Sequence, residues 1–343
     1  MNRASDSSSE ISASQLATQT VLGQSAVFIY NEITDNWDPK RLHCKDDTES
    51  TPEISSSFKV LSWNVDFTGR SRLERLSALL SHLQTTIIDP SSTYAQESNI
   101  PIDLPIILLQ EIHCTCFPAL LAHLMVRKHY ALTSISSATW SHRFARYGLV
   151  TLIPLGLTQF VENVFRCPFT NSTMGRDALF VDFRMHPEKL IRIATTHLES
   201  LRGASDEKRP VQLGIITNFL RAPEVYGGLV GGDMNPIGPL DEGLTESLGL
   251  VDAWIATRQL VAPGTDSEGE EGHTWGYQPL NRFPPRRLDK FLLTGNLRAS
   301  EMVRLGVGLK VKVSVTDMKT GNSTERVVWA TDHYGLLVKI NVV

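Results

Sequence analysis

Gly-Leu-Val-Gly-Gly-Asp-Met-Asn, running from Gly228 to Asn235, is the stretch around which the rest of the chain organises itself. An apolar run meets two glycines, then a carboxylate and, two residues on, an amide. Gly231 and Gly232 permit a turn with little bulk, so another group can come close to the backbone. Residues two apart in an extended segment share a side, which would aim Asp233 and Asn235 at one target. An acid that takes a proton beside an amide that holds an oxygen suits attack of water on phosphorus. Acid-x-amide after glycine is also common in turns, so partners must come from elsewhere in the chain.

The chain has 343 residues and a formal net charge of −4. Its length suits one large or two ordinary domains, and its apolar and charged fractions are those of a globular protein. The N-terminus is Ser-rich and polar, unlike a signal peptide, and no apolar run reaches membrane-spanning length, so an intracellular protein without membrane attachment is expected. Slight acidity argues against a broad nucleic-acid-coating surface, though a narrow basic groove remains compatible with it. The four cysteines, Cys44, Cys114, Cys116 and Cys167, are too irregular for a disulfide framework. His113-Cys114-x-Cys116 lacks a second ligand pair and reads as reduced, partly buried thiols rather than structural zinc.

Working outward, residues 1–57 read as a largely disordered N-terminal segment, polar at 1–25 and again at 40–57. Within it 26–39 reads as an accessory hairpin, strand, turn and aromatic return. The body, 58–343, begins with a strand over 58–64 that ends at Asn64-Val65-Asp66. Leu73, Leu76, Leu79, Leu80 and Leu83 set a helical period over 70–83. Arg70, Arg72 and Arg75 crowd its start, where positive charge opposes the helix dipole, which hints at a use for them. A polar loop over 89–104 precedes the apolar run 105–109, the mark of a central strand, which Gln110-Glu111 ends. A helix over 118–128 and strands over 148–153, 178–184 and 190–196 follow, the last leading into His197. A helix is expected over about 205–220, with Pro210 blurring its start. Residues 264–272 form an acidic, Gly-rich loop. Then come a strand over 288–293, a hairpin of 311–315 with 326–330, and a last strand over 334–340. Strands alternating with helices, and some hairpins, indicate a mixed-sheet α/β class. The sequons at Asn171 and Asn322 read as unmodified loops.

Polar residues gather at strand ends: Asn64, Glu111, His197, Asp233 and Asn235 where strands finish, and His333 where the last one starts. Ligand sites of open α/β sheets form beyond strand ends, so one shared site would explain the recurrence.

Trp63-Asn64, Leu109-Gln110-Glu111, Thr196-His197-Leu198, Gly232-Asp233-Met234-Asn235, Arg287-Leu288-Asp289 and Asp332-His333, in that order, resemble the endonuclease/exonuclease/phosphatase superfamily of DNase I and exonuclease III. The resemblance covers 58–343. It implies a four-layer αββα sandwich, two mixed β-sheets face to face with helices outside and the site at one end. The finer pattern is similar to the 5′-tyrosyl-DNA phosphodiesterase branch: Asn64-Val65-Asp66, Met174-Gly175-Arg176-Asp177, His197-Leu198-Glu199-Ser200 with Arg202-Gly203, and Thr274-Trp275. Three positions depart from that branch: Phe67 in place of glycine, Pro236-Ile237 in place of a polar segment with an arginine, and Gly276 in place of an acid.

The resemblance implies a Mg²⁺-dependent phosphodiesterase (Mn²⁺ substituting) that releases tyrosine from a DNA 5′ phosphate, a repair step for topoisomerase adducts. Glu111 would hold the ion, with Asn64 and Asp332 in its shell. Asp233 would take the proton of the attacking water and Asn235 would place that water. His333 and His197 would donate to non-bridging oxygens, with Asp289 keeping His333 charged. Asp66, Arg176, Ser200 and Arg202 would frame the tyrosyl side, and Trp275 would stack on a terminal base. The implied partner is a DNA 5′ end carrying a tyrosyl adduct, single-stranded at its terminus, met by a monomer in the nucleus or cytoplasm. Alternatives are an abasic or exonucleolytic nuclease, an RNA deadenylase, a phosphoinositide phosphatase, or an inactive binding scaffold.

Overall fold

The structure, a computed structural model, describes residues 20–24, 26–42, 56–88, 104–142, 145–259, 272–316 and 323–343. The readings of 1–19, of most of the 40–57 linker, of the loops over 89–103 and 264–271, and of the Asn322 sequon lie outside them.

Two sheets make the body. One orders its strands Leu22–Gln24, Val161–Pro168, Asp177–His186, Lys189–His197, Val225–Asp233, Asp289–Gly295 and Val251–Asp252. The other runs Leu297–Leu305, Gly335–Val342, Ser57–Asn64, Ile106–His113, Tyr147–Pro154, Tyr130–Leu132, Ala26–Asn31 and Asn36–Arg41. Each is mixed: Lys189–His197 pairs parallel with Val225–Asp233, and Ser57–Asn64 parallel with Ile106–His113, among antiparallel neighbours.

The apolar runs separate into layers because successive strand residues face opposite ways. Val60, Leu108, Ile193, Leu229 and Phe291 enter the core between the sheets. Their neighbours Leu61 and Leu109 pack with Leu79 and Leu80 of the helix Arg72–Leu83. On the other side Ala194, Val230 and Leu292 pack with Leu213 and Ile216 of the helix Lys208–Leu220. Both faces of each central strand are thus dry, which is why these strands read as continuous apolar runs rather than alternating ones. The expected αββα sandwich is the fold observed.

Several details differ from the sequence reading. Leu22–Gln24, placed in unstructured chain, pairs with Val161–Pro168 at a sheet edge. The 26–39 hairpin packs on the body as an accessory hairpin would, and Phe28 pairing with Leu132 makes it an extension of the second sheet. The helix over 118–128 is two short helices, Phe117–Ala122 and Leu124–His129, broken at His123. Pro210 fits the first turn of its helix, where no intrahelical N–H is required. The strand Leu297–Leu305, too polar on one side to stand out, was not foreseen.

The opening stretch also behaves differently. The strand is not cut short at its glycines but runs through them to Asp233. A Cβ on Gly231 would lie 2.4 Å from the Phe291 ring, and one on Gly232 would lie 2.0 Å from the Thr196 carbonyl oxygen. Gly232 also sits at φ 151. The glycines serve close approach, as expected, but inside a sheet rather than a turn.

Candidate active site

Three neighbouring strands place one row of side chains. His197 lies opposite Asp233 in the parallel pair, and Asp233 opposite Asp289 in the antiparallel one. The facing sheet brings Asn64, and the bridge between Trp275 and His333 sets His333 just ahead of the last strand. Asp233 is nearly fully buried at the centre. Its Oδ2 accepts from Asn64 Nδ2 at 3.1 Å and lies 3.3 Å from His197 Nε2 and 3.8 Å from His333 Nε2. Its Oδ1 accepts from the Asn235 backbone N–H at 3.0 Å.

Asn235 departs from the expected geometry. It lies beyond the strand with φ 46, so the two-residue alternation does not reach it, and its Nδ2 donates to the Leu198 carbonyl at 3.1 Å. It remains buried beside Asp233.

The imidazoles differ in charge. His333 Nδ1 bonds Asp289 Oδ2 at 2.7 Å. Burial alone would lower its pKa, but Asp289, Asp332 and Asp233 outweigh that and hold it well above the ordinary value. Thr274 Oγ1 accepts from the Leu288 and Asp289 N–H groups and so fixes Asp289. His197 is pushed the other way, by burial first and then by the charges of Arg176 and His333. Arg176 lies 2.5 Å from His197 Nδ1. Guanidinium can only donate, so Nδ1 accepts and the proton of this neutral ring sits on Nε2, facing Asp233.

Glu111 reaches the cluster by a route the sequence hides. The strand does not end there: Ile106–His113 continues through a bulge, and Glu111 occupies it at φ 62. An extra residue in one strand turns a side chain that alternation would assign elsewhere. Glu111 Oε2 accepts from Phe67 N–H at 2.9 Å, and Oε1 lies 3.5 Å from His197 Nδ1. Burial raises its pKa to about 7, and Asp233 to about 6.

Asp233, Asp289 and His333 hold ligand-type atoms within 4.8 Å of one another, a spacing compatible with a metal. A protonated His333 spent on Asp289 suits a hydrogen-bonded relay better. Glu111 fits a cation on its own terms: its Oε1 faces an imidazole nitrogen that is itself an acceptor, so positive charge there would relieve a costly burial.

Of the remaining predicted residues, Asp332 stays beside the cluster, its Oδ1 3.9 Å from His333 Nε2. Half-buried Trp275 donates from Nε1 to Asp332 Oδ2 at 3.1 Å. Ser200 donates to Met174 Sδ at 3.2 Å. Asp66, at φ 53, pairs with Arg75 at 2.6 Å, and Arg72 binds the Phe67 carbonyl. The arginines at the start of that helix therefore clamp the turn beyond Asn64. Exposed Arg202 lines a cavity of about 470 Å³ with Pro236, Arg286 and Lys290, whereas Asp66 lines another. His113 Nδ1 accepts from Thr115 N–H and caps a short turn, and Cys116 is buried.

Sequence reasoning gave Glu199 no role. Fully buried, it accepts from Ser172 Oγ at 2.7 Å, Thr173 N–H at 2.8 Å and Thr173 Oγ1 at 2.7 Å. It thereby fastens the loop that delivers Arg176. Phe67, noted only as a departure, stacks on Tyr147 at 3.9 Å, and the Arg176 guanidinium lies 5.3 Å from the Tyr147 ring.

Facing sheets with acids, amides and two unlike imidazoles converging at one rim define an α/β-sandwich hydrolase. The Endonuclease/Exonuclease/phosphatase family matches residues 61–333, and this chain belongs to it. No curated protein matches it in sequence. Among solved structures it resembles truncated TDP2 from Caenorhabditis elegans at 20% identity, covering 83% of this chain and 98% of that one with a TM-score of 0.57. D. rerio TDP2 complexed with single strand DNA product is 18% identical, with 84% and 100% covered and a TM-score of 0.55. The human Nocturnin catalytic domain with bound sulfate is 16% identical, with 85% and 96% covered and a TM-score of 0.53. At these identities the likeness speaks for the fold.

Proposed function

We propose that this protein is a Mg²⁺-dependent phosphodiesterase that hydrolyses the bond between a tyrosine and a DNA 5′ phosphate. The observation that carries the hydrolytic reading is the buried Asp233 carboxylate set between a neutral and a charged imidazole. With a pKa of about 6, Asp233 is ionised near neutral pH yet basic enough to take a proton from attacking water. Asn64, donating to Oδ2, and the Asn235 N–H, donating to Oδ1, hold that carboxylate in place. His333, charged by Asp289, donates to a non-bridging phosphoryl oxygen, and His197 offers its Nε2–H to the same face. Bound at Glu111, with Asn64 and Asp332 in its surroundings, Mg²⁺ would add positive charge for the phosphoryl oxygens and the departing phenolate.

A phenol with a pKa near 10 leaves with little protonation, so no dedicated general acid is needed on that side. Arg176 beside the Tyr147–Phe67 stack is where an aromatic leaving group and a developing phenolate would be received, and Ser200 shares with Arg176 a contact to Met174 Sδ. Trp275 offers a face to the terminal base. Likeness in fold to TDP2 structures, one of them with single-strand DNA product, supports this choice of substrate.

The test is a panel of 5′-phosphotyrosyl single-stranded DNA, abasic duplex, poly(A) and phosphoinositide, each with wild type and Asp233→Asn. Preference for the first, lost in the variant, is expected. Preference for any other member overturns the substrate, and turnover of none, with binding unchanged by Glu111→Ala, overturns the enzyme.

A further inference from the structure

A tyrosine esterified to DNA comes from a polypeptide, so its leaving group carries main chain and neighbouring side chains. Beside the cleft stands a second cavity, of about 300 Å³, whose lining includes none of Asn64, Glu111, His197, Asp233, Asp289 and His333. That is the volume of roughly ten waters. Asp66 and Asp332 in its lining tie it to the candidate active site: Asp332 Oδ1 lies 3.9 Å from His333 Nε2, and Asp66 N–H donates to Asn64 Oδ1 at 3.0 Å. Its far wall is the hairpin of Lys310–Thr316 and Ser323–Trp329, which belongs to neither main sheet.

The hairpin's register explains the wall. Val313 lies opposite Arg326 and Val311 opposite Val328, so Val313, Val315, Val328 and Arg326 share one face, and all four line the cavity. A two-stranded ribbon is marginal alone; this one is pinned at its base by Arg75. Arg75 Nε donates to the Trp329 and Ala330 carbonyls at 3.1 and 3.0 Å, while its Nη2 pairs with Asp66. That cation is therefore spent. The exposed Arg70 and Arg326 remain at the mouth, suited to main-chain carbonyls or acidic side chains. Valine walls with the inner guanidinium already paired suit aliphatic side chains.

We propose that this cavity receives the peptide attached to the departing tyrosine, making the enzyme prefer adducts that still carry a short polypeptide. The inference rests on the phosphotyrosyl reading above. It is tested by kcat/KM on two oligonucleotides, one ending in 5′-phosphotyrosine and one in the same tyrosine within a short peptide bearing aliphatic neighbours. The peptide-bearing substrate is expected to be cut roughly tenfold more efficiently, as filling an apolar pocket with one or two side chains allows. Val328→Glu, and separately Val315→Glu, should bring that ratio to about one. The tyrosine-only rate and the melting temperature should stay at wild-type values.

Equal rates on both substrates with wild type overturn this inference alone. A variant that slows both substrates equally assigns the cavity to the DNA strand and also overturns it. Cleavage of neither substrate by wild type overturns the reaction assigned above, and this inference with it.

Discussion

At the residue scale, the proposed reaction requires Asp233 as a base and His333 as an acid. Asp233→Asn is expected to lower kcat by roughly 10²–10⁴-fold on a phosphotyrosyl oligonucleotide, with KM little changed. Burial works against the charge on His333, but Asp289 and its acidic neighbours raise its pKa, so the imidazolium is present at low pH and the activity that needs it is lost as pH rises through that raised value. Asp289→Asn removes the raising charge. The alkaline limb of the pH–kcat/KM profile should then move to lower pH, and a limb that stays put would remove Asp289 from this role. Asp233, Asp289, His197 and His333 were legible in the sequence because each stands beside a strand in a recognisable order. Their protonation was not, because it comes from contacts such as Arg176 on His197 that join residues 21 apart through a loop.

At the scale of elements, Gly231 has no room for a side chain. Gly231→Val would drive methyls into the Phe291 ring, and a loss of about 1–3 kcal/mol is expected in urea unfolding. The Glu199 knot gives a pH signature of its own. Burial works to raise its pKa, but the Ser172, Thr173 and Gln212 hydrogen bonds win and hold it at about 2, from an ordinary 4.5. Its contribution is full above the unfolded value and fades as pH falls from about 4.5 toward 2. Acid unfolding of Glu199→Gln should lack that part of the pH dependence while the rest of the profile remains. Apolar runs bounded by polar residues exposed most strands to a sequence reader. The bulge at Glu111 and the edge strand Leu22–Gln24 stayed hidden, since both exist only through partners distant in the chain.

For the whole molecule, the apolar layers between and outside the sheets form without help from an ion. Chelation is therefore expected to stop hydrolysis while unfolding stays cooperative. Returning Mg²⁺ should raise stability only by linkage, about 2.7 kcal/mol at a hundredfold excess over Kd, measured by thermal melts across a titration. The row His197, Asp233, Asp289 is spaced by the ladder of backbone hydrogen bonds, with neighbouring strands about 4.8 Å apart. Reshaping the oils on either side should leave that ruler untouched, so descendants of this chain are free to exchange core residues. A single codon gained or lost between Val225 and Gly232 has the opposite effect: it turns the carboxylate to the far side of the sheet, away from its imidazole partners.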